Sequence, residues 1–119
     1  MVVTEIYPHR GDIYLVNFDP TVGSEIQKTR PALIIQNDLA NRYSPIVIVA
    51  GITSKFQDPL YPTEVLIKAS AGGLKNDSVV LLNQIRSIDK QRLIRKIGGI
   101  STEERQQIDR AIQISLGLV

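Results

Sequence analysis

Apolar residues in this chain fall in short runs that are separated by polar segments containing glycine or proline. The runs are rich in β-branched and aromatic residues, and such runs are typical of strands. We therefore predict strands at residues 13–18, 32–36, 46–53, 64–68 and 78–82. Residues 84–88 either continue the last of these or form a separate strand, and residues 96–100 form a short strand or a link. The run at 46–53 is apolar on both faces, which predicts a strand buried on both sides.

The pattern changes to a helical period only at the C-terminus. Ser101 and Glu104 have the spacing of a capping box, and the apolar stripe that follows predicts a helix over 101–119. Shorter helical turns are expected at 37–41 and 90–92. Strands and helices do not alternate, so a doubly wound sheet is not expected. The expected fold class is mainly β, a small and strongly bent sheet or barrel with a C-terminal α-helix packed on it.

Composition limits the chemistry that the chain can perform. Its 119 residues fit one domain, 1–119. The absence of cysteine and a single histidine, His9, exclude disulfides, thiolate zinc sites and histidine clusters. A metal site built from carboxylates alone stays open, but the acidic residues are scattered, so no metal and no cofactor are expected. No apolar run reaches the roughly 18 residues of a membrane span, and the expected compartment is the cytoplasm. The net charge of +2 permits nucleic acid as a partner without requiring it.

A polar loop at residues 23–31 separates the first two predicted strands. Arg30 lies where the chain re-enters the sheet, and Pro31 favours an extended backbone at Arg30. The cation therefore has a firm base, while residues 26–29 are free to move. We interpret this arrangement as a candidate anion site.

Familiar enzyme signatures are missing, because the chain has neither a nucleophilic triad nor a phosphate-binding P-loop. Arg30 can grip a phosphate and stabilise charge that grows on it, although it cannot act as a base. RNA can be cleaved when one of its 2′-hydroxyl groups attacks the adjacent phosphate, and this reaction needs such hydrogen-bond donors but no metal. Thr53, at the end of a buried strand, is a candidate second donor, and Glu25 could accept a proton or orient Arg30.

Each of these residues also has a purely structural interpretation. Arg30 fits a weak surface ion pair, Thr53 fits ordinary β-propensity, and Glu25 fits a solubilising loop charge. Arg86 either contacts phosphate or pairs with Asp89 within the sheet. These alternatives stay open at the level of local sequence.

Five blocks of the chain carry a resemblance. They are RGDIY at 10–14, PTVGSE at 20–25, RPALIIQND at 30–38, AGIT at 50–53 and DSVVLLNQIRSIDKQRL at 77–93. In order and spacing they closely resemble the MazF/PemK family of toxin endoribonucleases over nearly the whole chain. The resemblance implies an SH3-like barrel with a C-terminal helix, assembled as a homodimer.

The resemblance also implies metal-independent, sequence-specific cleavage of single-stranded RNA, leaving 2′,3′-cyclic phosphate and 5′-hydroxyl ends. It implies a cognate antitoxin with an acidic, partly disordered tail. Family positions place catalysis on Arg30, Thr53 and Glu25. RNA contacts are expected from Gln27, Lys28, Thr29 and Arg86; some members carry a histidine where this chain has Thr29.

Two other functions fit the same barrel. The related CcdB toxins bind DNA gyrase without nuclease activity, and here the helix at 107–119 would be the binding surface and Arg30 a bystander. A barrel that binds RNA without cutting it is the second alternative. The order of residues 23–25 and 30–31 favours the ribonuclease.

Overall fold

The computed structural model describes residues 7–26 and 28–119, so most of the predicted N-terminal lead, 1–9, lies outside it. Within the described residues the strands are β1 Asp12–Asn17, β2 Thr29–Ile34, β3 Ile46–Thr53, β4 Glu64–Ile67, β5 Ser78–Asp89 and β6 Leu93–Gly99. The helices are α1 Asp38–Tyr43, α2 Ala69–Gly72 and α3 Thr102–Ser115. A single 3-10 turn, Lys90–Arg92, joins β5 to β6.

All the described strands form one antiparallel sheet in the order β4-β5-β3-β2-β1-β6. This confirms the mainly β class. The two segments predicted at 78–82 and 84–88 are one strand, β5, which bulges opposite the Ala50–Gly51 step of β3. A bulge increases local bending, and it lies where the sequence places Gly51.

Two apolar clusters flank the sheet, and β3 serves both. Val47 and Val49 face one cluster, while Ala50 and Ile52 face the other. The predicted burial of β3 on both faces is therefore confirmed. Helix α3 adds Ile108 to the cluster that contains Ala50 and Ile52.

The predicted helix at the C-terminus is α3, which starts as predicted but ends at Ser115 and not at residue 119. The Ser101 hydroxyl accepts a hydrogen bond from the Glu104 N–H at 3.1 Å, and a Glu104 carboxylate oxygen accepts one from the Ser101 N–H at 2.9 Å. This reciprocal pair is the predicted capping box, and it fixes the N-terminus of α3. The turn predicted at 37–41 is α1, with Asn37 as its N-cap.

Helix α2 closes the sheet by packing against β6, although it follows the opposite edge strand β4. Gly73, which ends α2, has a φ of +76°, and a Cβ there would overlap the Ile97 carbonyl oxygen. A Cβ at Gly98 would likewise overlap the Gly72 carbonyl oxygen. The two backbones approach so closely that only glycine fits, and the sheet becomes a barrel, as predicted.

Strand β2 begins three residues earlier than predicted, at Thr29 instead of Ala32. Pairing with β1, in which Asn17 faces Thr29 and Val16 faces Arg30, draws polar residues into the strand. On its other side β2 pairs with β3 only over Ala32–Ile34. Pro31 has no N–H to donate, and it lies where that side of β2 is an open edge.

Candidate functional site

The parting of β2 from β3 opens a groove at one end of the barrel. The groove has a volume of about 670 Å³. Its described lining residues are Leu15 on β1, Ile26, Lys28, Arg30 and Pro31, Ile52 to Lys55, Gly73 to Asn76 with Ser78, and Arg95 and Ile97 on β6. Since β6, α2 and β5 complete the ring, the groove is the mouth of the barrel.

Arg30 and Thr53 face each other across this mouth. Ala32 pairs with Gly51 in the register of β2 and β3; Arg30 lies two residues before Ala32, and Thr53 two residues after Gly51. Side chains two apart on a strand point to the same face, and both residues line the groove. The structure thus places Arg30 and Thr53 on one groove, and their catalytic role stays a prediction.

The Thr53 hydroxyl is arranged to donate. Its oxygen accepts a hydrogen bond from the Lys55 N–H at 3.1 Å. Its only acceptor among the described residues is the Lys55 carbonyl at 3.5 Å, at the limit of a hydrogen bond. The hydroxyl proton is therefore readily turned towards a ligand oxygen in the groove.

Cations without a partner concentrate at the mouth. Seven of the 14 Lys and Arg side chains, Arg10, Arg42, Lys68, Arg86, Arg92, Lys96 and Arg105, contact a carboxylate, a carbonyl or an aromatic ring. None of these seven lines the groove. Five of the remaining seven do, namely Lys28, Arg30, Lys55, Lys75 and Arg95. The groove has no Asp or Glu among its described lining residues. A chain of small net charge therefore presents one strongly positive concavity.

The base of the β1–β2 loop is held by two arginines. Arg86 donates to the Phe18 carbonyl at 3.0 Å and lies over the Phe18 ring. Arg92 donates to the Asn17 carbonyl at 3.1 Å and to that of Asp19. These arginines hold the β1 side of the loop. The β2 side is tied to it, because the Phe18 N–H donates to the Lys28 carbonyl at 2.8 Å and the Lys28 N–H donates to the Asp19 carboxylate at 2.9 Å.

Within the β1–β2 loop, the Ile26 side chain packs against Gly51. A Cβ at Gly51 would come within 2.5 Å of the Ile26 Cδ1 atom, so the missing side chain of Gly51 makes room for Ile26. The Gln84 amide donates to the Ser24 carbonyl at 3.4 Å. These contacts place the loop beside Thr53.

The other predicted site residues are not all at the groove. Glu25 is exposed and does not line it; its carboxylate accepts a hydrogen bond from the Val22 N–H at 2.6 Å. Arg86 supports Phe18 and forms no ion pair with Asp89 among the described contacts. Thr29 begins β2 on the exposed edge, and Gln27 lies outside the described residues. The roles of these four residues stay predictions.

Three cations at the mouth were missed by the sequence interpretation: Lys55, Lys75 and Arg95. They come from a loop, a turn and a link of ambiguous structure, far apart in sequence. The close-packed glycines at 72–73 and 98–99 were the available signal, because they bring the α2 turn against β6.

Neither a metal centre nor a membrane span is found in the described part of the chain. No group of three or more His, Cys, Asp or Glu side chains among residues 7–26 and 28–119 is placed to hold a metal ion. None of the helices found there is long and apolar enough to cross a bilayer.

Comparison with known proteins gives the same fold and a family. The family described as PemK-like, MazF-like toxin of type II toxin–antitoxin systems matches residues 9–116. Endoribonuclease EndoA of Bacillus subtilis (strain 168) is 51% identical over 110 residues, covering 92% of this chain and 95% of that protein.

Two solved structures from Deinococcus radiodurans superimpose on most of the chain. MazF (Form-I) has a TM-score of 0.81 at 24% identity and covers 95% of this chain and 99% of that chain. MazE-MazF (Form-II) has a TM-score of 0.77 at 25% identity and covers 97% of this chain and 100% of that chain. With the family match over residues 9–116, the chain belongs to the PemK/MazF family of type II toxins.

Proposed function

We propose that this chain is a sequence-specific, metal-independent endoribonuclease toxin that cleaves single-stranded RNA. The observation that carries the proposal is that Arg30 and Thr53 line one groove, whose described lining holds cations without described partners and no carboxylate. The name endoribonuclease borne by the Bacillus subtilis relative supports the reaction class.

The reaction needs no group beyond the RNA and these side chains. The 2′-oxygen attacks the adjacent phosphorus and forms a new P–O bond, while the bond from phosphorus to the 5′-oxygen breaks. The 2′-hydroxyl loses its proton, and the leaving 5′-oxygen gains one. The products are a 2′,3′-cyclic phosphate and a 5′-hydroxyl.

The groove residues stabilise the intermediate of this reaction. Arg30 donates to the non-bridging phosphate oxygens, whose charge grows as the fifth bond forms. Thr53 donates a further hydrogen bond to one of them, because its oxygen already accepts from Lys55 N–H. Glu25 orients Arg30 or accepts a proton; in the structure its carboxylate is held by Val22.

We infer that the toxin acts as a homodimer in the cytoplasm, on messenger RNA, under control of a cognate antitoxin. A protein of the same fold, solved as an endoribonuclease in complex with its cognate antitoxin from Mycobacterial species, supports an antitoxin partner. An acidic, partly disordered antitoxin tail would find five unpartnered cations in the groove, so inhibitor and RNA compete for one surface.

One experiment tests the proposal. Purified protein in EDTA is incubated with end-labelled RNA and DNA oligonucleotides of matched mixed sequence, and the product ends are tested for cyclic phosphate. We expect RNA alone to be cut, at a short fixed sequence. Cutting that requires magnesium would contradict the metal-independent mechanism. No cutting, together with inhibition of DNA gyrase, would favour the CcdB-type function of α3.

A further inference from the structure

The barrel mouth extends well beyond Arg30 and Thr53. Its floor is apolar and consists of Leu15, Pro31, Ile52, Leu74 and Ile97. Leu74 and Ile97 also pack against the core cluster that contains Ile52, so the floor is the open end of that core. Arg95 and Lys75 stand at the rim on the far side, on β6 and on the turn that follows α2.

Strand register places Arg95 relative to the reactive side. Leu15 faces Pro31 on β2 and faces Arg95 on β6. Residues directly opposite in antiparallel strands point to the same face, so these three side chains form one row. Neighbouring strands are about 4.8 Å apart, and two spacings place Arg95 about 10 Å from Pro31. A cation thus stands beyond an apolar strip that begins at Pro31. Pro31 follows Arg30 in β2, so the strip lies on the face of β2 opposite to the Arg30 side chain, and both faces border the same groove.

We propose that this far half of the mouth binds the nucleotide that flanks the cleaved phosphodiester. Its base lies on the floor formed by Leu15, Leu74 and Ile97, and its phosphate contacts Arg95 and Lys75. This subsite rests on the ribonuclease function proposed above. It assigns a nucleotide-binding role to residues that lie outside the reactive pair.

The chemistry of the lining fits an unpaired nucleotide. A base offers two apolar faces and a polar edge, and it is followed along the chain by a phosphate at each step. The half-buried floor suits contact with the apolar face of a base. Asn76 stands at the rim, where its side chain, which has no partner among the described residues, can hydrogen-bond to the polar edge of the base. Arg95 and Lys75, both exposed and without partners, match the phosphate.

Such a subsite would also serve the reaction. In-line attack by the 2′-oxygen requires the two nucleotides at the cleaved bond to splay apart. A base held on the floor cannot stack on its neighbour, so binding energy there fixes the backbone angle at the reacting phosphate. Arg95 and Lys75 are accordingly binding and positioning residues and make no contact with the reacting atoms.

The phosphate contacts are tested by binding. The probe is the cleaved RNA sequence with a 2′-deoxy nucleotide at the cut position, which removes the attacking group. Arg95→Gln and Lys75→Gln are each expected to raise Kd about tenfold, as for loss of one charge-assisted hydrogen bond. Each should also lower the slope of log K against log salt by about 0.7. Arg110→Gln is the matched control, since Arg110 is exposed, lacks a described partner and lies outside the groove.

The base contact is tested by removing single bases from the same probe. We expect one flanking position at which base removal weakens wild-type binding about tenfold, the size of a lost base contact. In Leu74→Ala, checked for a cooperative unfolding transition, that loss should shrink to about twofold, because base and floor act together. Equal losses in wild type and Leu74→Ala would overturn the proposal.

These outcomes are separable from failure of the proposed function. If wild type does not cut all-ribose RNA, the ribonuclease function fails and the subsite with it. If wild type cuts RNA but Arg95→Gln and Lys75→Gln behave like Arg110→Gln, the subsite alone is overturned. Weakened binding of an acidic peptide with unchanged RNA binding would assign the far half to a protein partner and overturn the proposal as well.

Discussion

Arg30 and Thr53 each lie two residues beyond Ala32 and Gly51, the last pair that joins β2 to β3, and both line the groove that opens there. Had the two strands continued side by side, their side chains would have formed an ordinary cross-strand pair. Because Pro31 and the start of the β1–β2 loop separate the strands, the same register instead leaves a guanidinium and a hydroxyl facing one gap.

Replacing Arg30 should remove catalysis and leave the fold. Loss of one preorganised donor costs roughly a hundredfold to a thousandfold in rate, and we expect Arg30→Ala to slow single-turnover RNA cleavage by that amount. The side chain is exposed and has no described partner, so the free energy of unfolding should change by less than about 0.5 kcal/mol. Near-normal cleavage would remove Arg30 from the mechanism; Arg110→Ala serves as the control.

Thr53 can be tested by its hydroxyl alone. Thr53→Val keeps the shape and β-propensity of the side chain but removes the donor, and we expect cleavage to fall by roughly a hundredfold. The Lys55 N–H loses its acceptor at an exposed position, where water can replace it. Thr53→Ser should retain most of the activity. A larger loss in the Ser variant than in the Val variant would mean that the methyl group, and not the hydroxyl, matters.

Gly51 provides space for the loop. In Gly51→Ala the new Cβ would lie 2.5 Å from the Ile26 Cδ1 atom, so Ile26 must turn away and the loop beside Thr53 must shift. We expect cleavage to fall at least severalfold with little loss of stability, because the displaced atom ends a flexible side chain. The double variant Ile26→Ala/Gly51→Ala removes the clash. If it shows the same defect as Gly51→Ala, the contact with Ile26 is not the cause.

Closure of the barrel can be tested by replacing two glycines that have similar backbone dihedral angles. Gly73 has a φ of +76° and Gly117 a φ of +72°, so alanine at either carries the left-handed strain of about 1–2 kcal/mol. At Gly73 the new Cβ also overlaps the Ile97 carbonyl oxygen, whereas nothing lies within 4 Å at Gly117. Urea unfolding should show the Gly73→Ala variant to be less stable than Gly117→Ala by about 1–3 kcal/mol. Equal losses would show that β6 is not held by this approach.

Asp38 should make the protein sensitive to acid. A hydrogen bond from the Arg10 N–H at 2.7 Å, assisted by Asn41, holds the pKa of Asp38 below its usual range. The resulting stabilisation is present above the unfolded-state pKa of about 3.9 and is lost as pH falls from there through the lower folded value.

The measurement is urea unfolding at acidic and neutral pH. We expect Asp38→Asn to flatten the fall in stability below about pH 4. Asp58→Asn changes an exposed carboxylate with no described hydrogen bond. This variant should show the same dependence of stability on pH as the wild type. An unchanged profile in Asp38→Asn would contradict a role for this contact.

Local patterns predicted those elements whose stability is local. Strand β3 has its predicted bounds, because an apolar run flanked by Pro45 and polar residues leaves no other register. The capping box set the start of α3 for the same reason. The start of β2 was missed, since Thr29 and Arg30 are recruited by pairing with β1 and not by their own propensity.

The candidate site was predictable only in part. Arg30 stands out because a proline fixes it at a strand edge, and Thr53 because it ends a buried strand. Arg95 carries no such signal, since its placement depends on closure of the barrel by Gly73 and Gly98. The sequence around Arg86 is equally compatible with a phosphate contact and with the hydrogen bond to Phe18 that the structure shows.

The way the mouth is closed has a consequence for the synthesis of the chain. The groove needs Arg30 from β2 and Arg95 from β6, which are contributed by early and late parts of the sequence. A nascent chain that still lacks β6 has an open edge beside β1 and no far wall to its groove. The complete groove, which we propose binds RNA, therefore arises only once the ribosome has made β6, and chains that end before β6 lack half of it.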